Sequence, residues 1–475
     1  MLTPGNLYHA AFICISWLSP RHSPRRTKTY ACVDSSSPPR SAFESNVVLI
    51  KIIVVGLFFC LSSVGFAQEL KLNDLIEEAL KNNPEILAAQ ARAEAAKYKV
   101  PQAKSLPDPM VMFGYQNEGW NSYTYGEMAD AQWMFSASQM FPFPGKRSLK
   151  EKMAKKDAGS IEASYAATQL KTIARVKELC LDLFLAYKNI DLIHEKTSLF
   201  SRIEEAASAR YSSGMTPQQE VIMAQTEKYM LMGKEEMFKQ KIQAFEAMLN
   251  STLGRGGVNT SLGRPVEPVS AAFPATVDEL LEKAYNNSPE IKAREKMIAG
   301  AEAKVQMAKK EYYPDLTINA GVSKRRGMFE DMWYVTSTIN IPLYFRSKQR
   351  QGVFEAEASL SEAQSEREAI KLMIASAIRD NYSMFTAAER LAELYQGALI
   401  PKTYQDFEAA IAGYVTGKVE AITTISRLKS LLDYEILYWG QVVEREKAIA
   451  RLEAITGEGI GGLGGEAGKE EWSGN

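Results

Sequence analysis

Residues 210–217 read Arg210-Tyr211-Ser212-Ser213-Gly214-Met215-Thr216-Pro217, and they are the one break in a stretch running from Gly145 to Leu253. Before the break, apolar residues recur at Ile173, Val176, Cys180, Phe184, Tyr187 and Ile190. After it, Val221, Ala224, Tyr229, Met232, Met237, Ile242, Phe245 and Leu249 continue the stripe. Steps of three and four are the period of an amphipathic helix. Gly214 can take the left-handed conformation that ends a helix, and Pro217 suits the first turn of the next. The spacing predicts two very long helices folded back on each other. The first, Lys146 to Ser212, would be about 100 Å long at ~1.5 Å per residue. No ordinary globular core needs such a length, so this helix spans a distance.

The same pattern occurs twice. Asp74-Leu75-Ile76-Glu77-Glu78-Ala79-Leu80-Lys81-Asn82-Asn83-Pro84-Glu85-Ile86 is echoed by residues 278–291, so that Asn83-Pro84-Glu85-Ile86 and Ser288-Pro289-Glu290-Ile291 stand 205 positions apart. Lys99-Val100 matches Lys304-Val305, and Pro107-Asp108 matches Pro314-Asp315. The turn recurs as well: Tyr211-Ser212-Ser213-Gly214 against Tyr414-Val415-Thr416-Gly417. A tandem duplication of this size sets the whole reading. We place the first repeat at 68–249, a Gly- and Pro-rich linker at 250–276 and the second repeat at 277–455. Residues 73–105 are expected as one amphipathic helix, 346–413 as a long helix broken only at Pro401, and 418–455 as its returning partner.

Between the helices of each repeat the period changes to two. Leu316, Ile318, Ala320 and Val322 alternate with Thr317, Asn319, Gly321 and Ser323; Trp333, Val335, Ile339 and Ile341 alternate with Thr336, Thr338 and Asn340. In the first repeat Val111, Phe113 and Tyr115 share a face, as do Trp133, Phe135 and Ala137 opposite Gln132, Ser136 and Ser138. Each strand therefore has one apolar and one polar face. Aromatic residues gather at the strand ends: Trp120, Trp133, Phe141, Trp333 and Tyr334 are the expected girdle. Two readings fit, a small soluble sheet packed on helices or a transmembrane β-barrel with aromatic belts. Four strands cannot close a barrel, and open edges are not tolerated in lipid, so the barrel reading requires an oligomer; three copies would give twelve strands.

Residues 47–67, VVLIKIIVVGLFFCLSSVGFA, carry one lysine, a short apolar run and Gly65-Phe66-Ala67, the layout of a secretory signal peptide cleaved before Gln68. Residues 1–46 are rich in Ser, Pro and Arg, unlike a signal n-region, and read as a gene-model extension, with the true start at Val47, Val48 or Leu49. Phe59 before Cys60 argues against lipidation. Export leaves 50 basic and 55 acidic residues in the mature chain, an excess of five acids with no basic bias towards nucleic acid. Only Cys180 lies in the mature region, on an apolar stripe, so it reads as a buried structural thiol and no internal disulfide can form. Residues 456–475 hold eight glycines in twenty positions and read as a disordered tail.

With signal peptide, duplicated helix–strand-pair–long-helix units and Tyr-x-x-Gly turns, residues 70–457 resemble the TolC-like outer membrane factors. The marks are Asn83-Pro84-Glu85, Ser288-Pro289-Glu290, Pro314-Asp315, Phe141-Pro142-Phe143-Pro144-Gly145-Lys146-Arg147, Ile341-Pro342-Leu343 and the turns at Gly214 and Gly417. The resemblance, most like members serving heavy-metal cation pumps, implies an α+β membrane protein. That protein would be a homotrimer whose twelve-stranded barrel in outer membrane lipid, four strands per chain, continues into a periplasmic α-helical barrel. It further implies a passive conduit, opened at its periplasmic tip by a periplasmic adaptor and an inner-membrane RND-type pump, with metal cations among the cargoes. Tyr211, Gly214, Tyr414 and Gly417 would form the tip and adaptor-docking turns. Glu220 and Glu420 would narrow the pore, where a ring of three carboxylates favours cations; both also fit as first-turn residues facing a helix dipole. In the second repeat the position equivalent to Glu220 is Thr423, a departure from the pattern.

Enzymatic function has no support in the residues. There is no Gly-rich phosphate loop, no Cys or His ligand cluster and a single mature histidine, His194. No cofactor or metal site is expected. Met223, Met230, Met232 and Met237 sit at mostly helical spacing and read as packing rather than soft-metal contacts. The rival reading is a periplasmic coiled-coil adaptor or scaffold without a pore. The four amphipathic strands with aromatic ends discriminate against it, since an adaptor has no use for them.

Overall fold

The computed structural model describes residues 70–256, 262–268 and 273–458. The expected signal peptide, the extension before it, the Gly-rich tail beyond Glu458 and the middle of the linker lie outside the described residues.

Each repeat contributes the same series of elements. In the first, α1 (Leu72–Asn82) and α2 (Pro84–Lys104) precede β1 (Met110–Gln116) and β2 (Gln132–Phe141), then α3 (Lys146–Ser212) and α4 (Gln218–Thr252). In the second, α5 (Val277–Asn287) and α6 (Pro289–Lys310) precede β3 (Leu316–Lys324) and β4 (Met332–Ile339). A long helix interrupted by a π-helical turn follows, α7 (Gln349–Leu394), Tyr395–Leu399 and α8 (Ile400–Val415), and α9 (Ala421–Thr456) returns.

Two helix boundaries differ from the expectation. Residues 73–105 are two helices, because Asn83 is extended and caps α2: its Oδ1 accepts from the Glu85 and Ile86 amides at 2.8 and 3.2 Å. Pro84 at the first position of α2 has no amide to satisfy. The Asn83 amide group also donates to Thr252 O at 2.7 Å, fastening the joint to the end of α4. In the second long helix the break is not at Pro401, which sits inside the first turn of α8, but at the π-turn just before it. There the i→i+5 pattern absorbs one extra residue.

The four strands form one antiparallel sheet in the order β1-β2-β3-β4, with β2 against β3 joining the repeats. Its register sets Phe113 opposite Phe135, Phe135 opposite Val322 and Val322 opposite Trp333, one continuous apolar row. The other face carries Ser136, Gly321 and Tyr334 in register.

Among the helices α3 packs on α4 and on α9, and α9 packs on α7; α4 also reaches α9 through the pairs Lys234–Asp433 and Glu227–Lys429. The α3–α9 seam is antiparallel and ion-paired at Lys177–Glu453 (2.5 Å), Glu178–Arg451 (2.5 Å), Asp182–Lys447 (2.6 Å) and Lys196–Glu435 (2.8 Å). Apolar cores alternate with these pairs: Leu75, Val176, Leu183 and Leu249 in one, Phe200, Ile203, Phe407 and Leu428 in another nearer the turns. Cys180 belongs to the first core, as expected, and burial pushes its thiol up to about 11. The methionines of α4 divide. Met223 packs on the core by the turns, whereas Met230, Met232 and Met237 are exposed on the chain, so the intrachain packing expected of all four holds for the first alone.

Candidate functional site at the hairpin turns

Each turn is closed by a glycine in the left-handed region, Gly214 at φ 72° and Gly417 at φ 79°. The Met215 amide donates to Arg210 O at 2.9 Å and that of Gly214 to Tyr211 O at 2.9 Å. Lys418 donates to Gly413 O at 2.9 Å and Gly417 to Tyr414 O at 3.0 Å, the same scheme one repeat later. These are the carbonyl-satisfying bonds of a helix C-terminus, for which a residue without a Cβ is favoured.

The two turns touch through unequal residues. Tyr211 is 47% exposed, while its repeat equivalent Tyr414 is fully buried in the core by the turns. Two side chains of the first hairpin hold Tyr414. Its hydroxyl donates to Glu220 Oε2 at 3.0 Å, and Arg210 Nη1 donates to its carbonyl at 2.6 Å. The Arg210 guanidinium also lies over the phenol ring, 4.6 Å from its centre. Burial first, then the bond to the Glu220 carboxylate, pushes the Tyr414 phenol up to about 12, with Arg210 opposing. Tyr414 therefore remains a donor at physiological pH.

Glu220 and Glu420 stand in different surroundings. Glu220 is half-buried against Tyr414, while Glu420 is exposed and occupies the N-cap of α9 without a side-chain capping bond. Arg210 was not foreseen as part of the site. Its repeat equivalent is Gly413, so the duplication gave no second copy to mark it. The one available signal was a cation directly before a turn tyrosine.

At the other end of the helices, the apolar face of the sheet is exposed. Phe113 stacks on Trp133 at 5.2 Å and Tyr115 meets Trp133 at 4.9 Å. Trp333 is 79% exposed in the same row, and Trp120 stands fully exposed in the β1–β2 connection. Phe141 is exposed at the opposite end of β2, paired with Leu316. Tyr334 differs from the expected girdle. Neighbouring strand residues point to opposite faces, and its ring lies over Gly321 on the polar side. Among the described residues no group of three or more His, Cys, Asp or Glu could hold a metal ion, and no helix is long and apolar enough to cross a membrane.

The family model described as "Outer membrane efflux protein" matches residues 75–255 and 280–457, one segment per repeat. The chain is 21% identical over 403 residues to the cobalt-zinc-cadmium resistance protein CzcC of Cupriavidus metallidurans, spanning 82% of this chain and 91% of that protein. It is 20% identical to the outer membrane protein TolC of Vibrio cholerae over 81% of this chain and 90% of TolC. The crystal structure of the outer membrane protein VceC from Vibrio cholerae superposes with a TM-score of 0.70 at 20% identity, over 82% of this chain and 97% of VceC. The fold is that of these channels, mostly helical with one small sheet.

Proposed function

The chain belongs to the outer membrane efflux protein family, and on that premise we propose that three copies close into one passive channel. It is an outer-membrane efflux protein with a periplasmic extension. In the proposed trimer, twelve strands form the barrel and the helical hairpins form the tunnel, with the repeats 68–249 and 277–455 as quasi-equivalent staves.

One observation carries this reading: the sheet has an exposed apolar face and two edges, β1 and β4, that no other strand among the described residues pairs. In lipid each unpaired backbone group costs several kcal/mol, so such a sheet is stable only when closed on further copies. The flanking helices agree. On the chain, α4 exposes Ile222, Tyr229 and Met237, and α7 exposes Leu372, Met373 and Leu394. Packing α4 of one copy on α7 of the next would bury both sets and give Met230, Met232 and Met237 the contacts they lack in one chain.

The turns are then the periplasmic tip. Arg210 and Glu220 clasp Tyr414 and hold the second hairpin against the first, which keeps the tip narrow until an adaptor engages the exposed turns at Tyr211, Gly214 and Gly417 and a pump of the RND type drives opening. Glu220 and Glu420 present carboxylates close to that constriction. The name of CzcC makes divalent metal cations the first cargo to test. The protein performs no chemistry in this scheme. A pore-less adaptor would have no use for the sheet.

Native mass measurement on protein extracted from outer membranes in mild detergent tests the proposal. A trimer that conducts ions in a planar bilayer supports it; a monomer soluble without detergent rejects it.

A further inference from the structure

The sheet ends on its helical side at Phe141, Leu316 and Ile339. Four chain segments meet the helices there, 99–109, 141–156, 304–315 and 340–352. Together they hold fourteen Lys or Arg against four Asp or Glu, in a chain whose overall net charge is −1. The connections at the opposite end of the sheet, 117–131 and 324–331, hold three basic and five acidic residues. Positive charge is therefore concentrated at one end of the strands.

Three of the four acids are already engaged. Glu151 pairs with Lys104 at 3.2 Å, and Glu311 and Asp315 both pair with the buried Lys146, at 3.4 and 2.9 Å. The remaining cations are mostly at the surface, among them Lys150, Arg346, Lys348 and Arg350, for which no ion pair occurs among the described residues. Aromatic rings, most of them exposed, stand beside them. Tyr344 is 78% exposed, Lys310 lies over Phe143 and Tyr313 at 5.4 and 5.3 Å, and Arg346 lies over Phe345 at 5.9 Å. Rings at the edge of an apolar face, with long cationic side chains just beyond, match the headgroup layer of a membrane.

We infer that this junction is a cationic collar that binds the phosphates of anionic phospholipids in the periplasm-facing leaflet. The inference rests on the proposed barrel, which sets the helical ends of the strands at that leaflet. A basic cluster at a membrane surface attracts anionic lipid over about one Debye length and loses that attraction in salt. The collar would fix the depth at which the barrel stands and select its lipid annulus.

The test is native mass spectrometry of the intact protein in nanodiscs of phosphatidylethanolamine with phosphatidylglycerol or cardiolipin, alongside the triple variant Arg346→Gln/Lys348→Gln/Arg350→Gln. None of the three side chains has an ion pair to lose among the described residues, and Lys146 is left intact. The wild-type trimer should retain anionic lipid preferentially, with the preference falling as salt rises, and the variant trimer should retain about tenfold less. Wild-type trimers with no preference, or variant trimers that retain as much as wild type, overturn the collar and leave the trimeric barrel standing. A variant that keeps its lipid but shifts the reversal potential of the channel would put these cations in the pore instead. Absence of trimer would overturn the barrel and the collar together.

Discussion

The hydroxyl of Tyr414 donates to the carboxylate of Glu220 across 3.0 Å, although the two residues are 194 positions apart and on different hairpins. If this bond holds the tip, Tyr414→Phe should loosen it at little cost to the fold, since the ring and its contact with Arg210 remain. Loss of one such bond to a charged acceptor is worth about 1.5–3 kcal/mol locally. Single-channel recordings should show longer or more frequent open events for Tyr414→Phe. Glu220→Gln keeps an acceptor oxygen and should change less. Identical closed-state conductance in all three proteins would remove the clasp from the gating account.

The same bond has a pH signature. The Tyr414 phenol is raised from 10.0 to about 12 in the folded protein. Its contribution to stability is therefore complete below pH 10 and is lost as pH rises through about 12. A difference titration at the tyrosinate band, wild type minus Tyr414→Phe, should show one late ionisation. A difference midpoint near 10 would mean that Tyr414 is solvated.

How much of this was legible beforehand depended on periodicity and on the duplication. The long hairpins and four strands follow from steps of three or four and of two, and each was seen twice. The joint at Asn83 was missed because the apolar face continues from Leu80 to Ile86 across it; the cap and Pro84 were the signal, and they are local. The π-turn at Tyr395–Leu399 adds one residue, so the buried stripe resumes one position late, with Ala388 and Phe407 nineteen apart; that shift is slight beside a proline, and Pro401 attracted the break. Arg210 stands where the second repeat has Gly413, and the α4 methionines Met230, Met232 and Met237 are exposed on the chain. Repeated features were readable, and features made by contact between unlike parts were not.

The closing glycines of the two repeats should respond unequally to a methyl group. Gly254 and Gly457 both have positive φ, 77° and 83°, which alone costs about 1–2 kcal/mol for alanine. A Cβ on Gly254 would also stand 2.2 Å from Asn82 O, whereas one on Gly457 would stand 3.2 Å from Asn287 O. Gly254→Ala must therefore shift the α1–α2 joint that Asn83 ties to α4, and should lower the thermal midpoint clearly more than Gly457→Ala. Equal shifts in circular-dichroism melts would show that the joint yields freely.

Lys146 offers the sharpest test of how the repeats are fastened where strands become helices. Its side chain is 3% exposed, and Nζ reaches Asp315 at 2.9 Å, Glu311 at 3.4 Å and donates to Tyr313 O at 3.1 Å. Asp315 in turn accepts the Phe143 amide at 2.7 Å. One ion pair thus ties the β2–α3 connection of the first repeat to the α6–β3 connection of the second. Lys146→Met would leave the Asp315 carboxylate, 15% exposed, without its cation, a loss that typically costs about 3–5 kcal/mol. The double variant Lys146→Met/Asp315→Asn removes the stranded charge and keeps a side-chain oxygen for Phe143. It should recover part of that loss, because the two sites share one interaction and their effects cannot add. Thermal unfolding of the single and double variants decides the matter. A single variant within about 0.5 kcal/mol of wild type, the range of an ordinary surface change, would show that the stacked Phe143 and Tyr313 rings hold the junction without the charge.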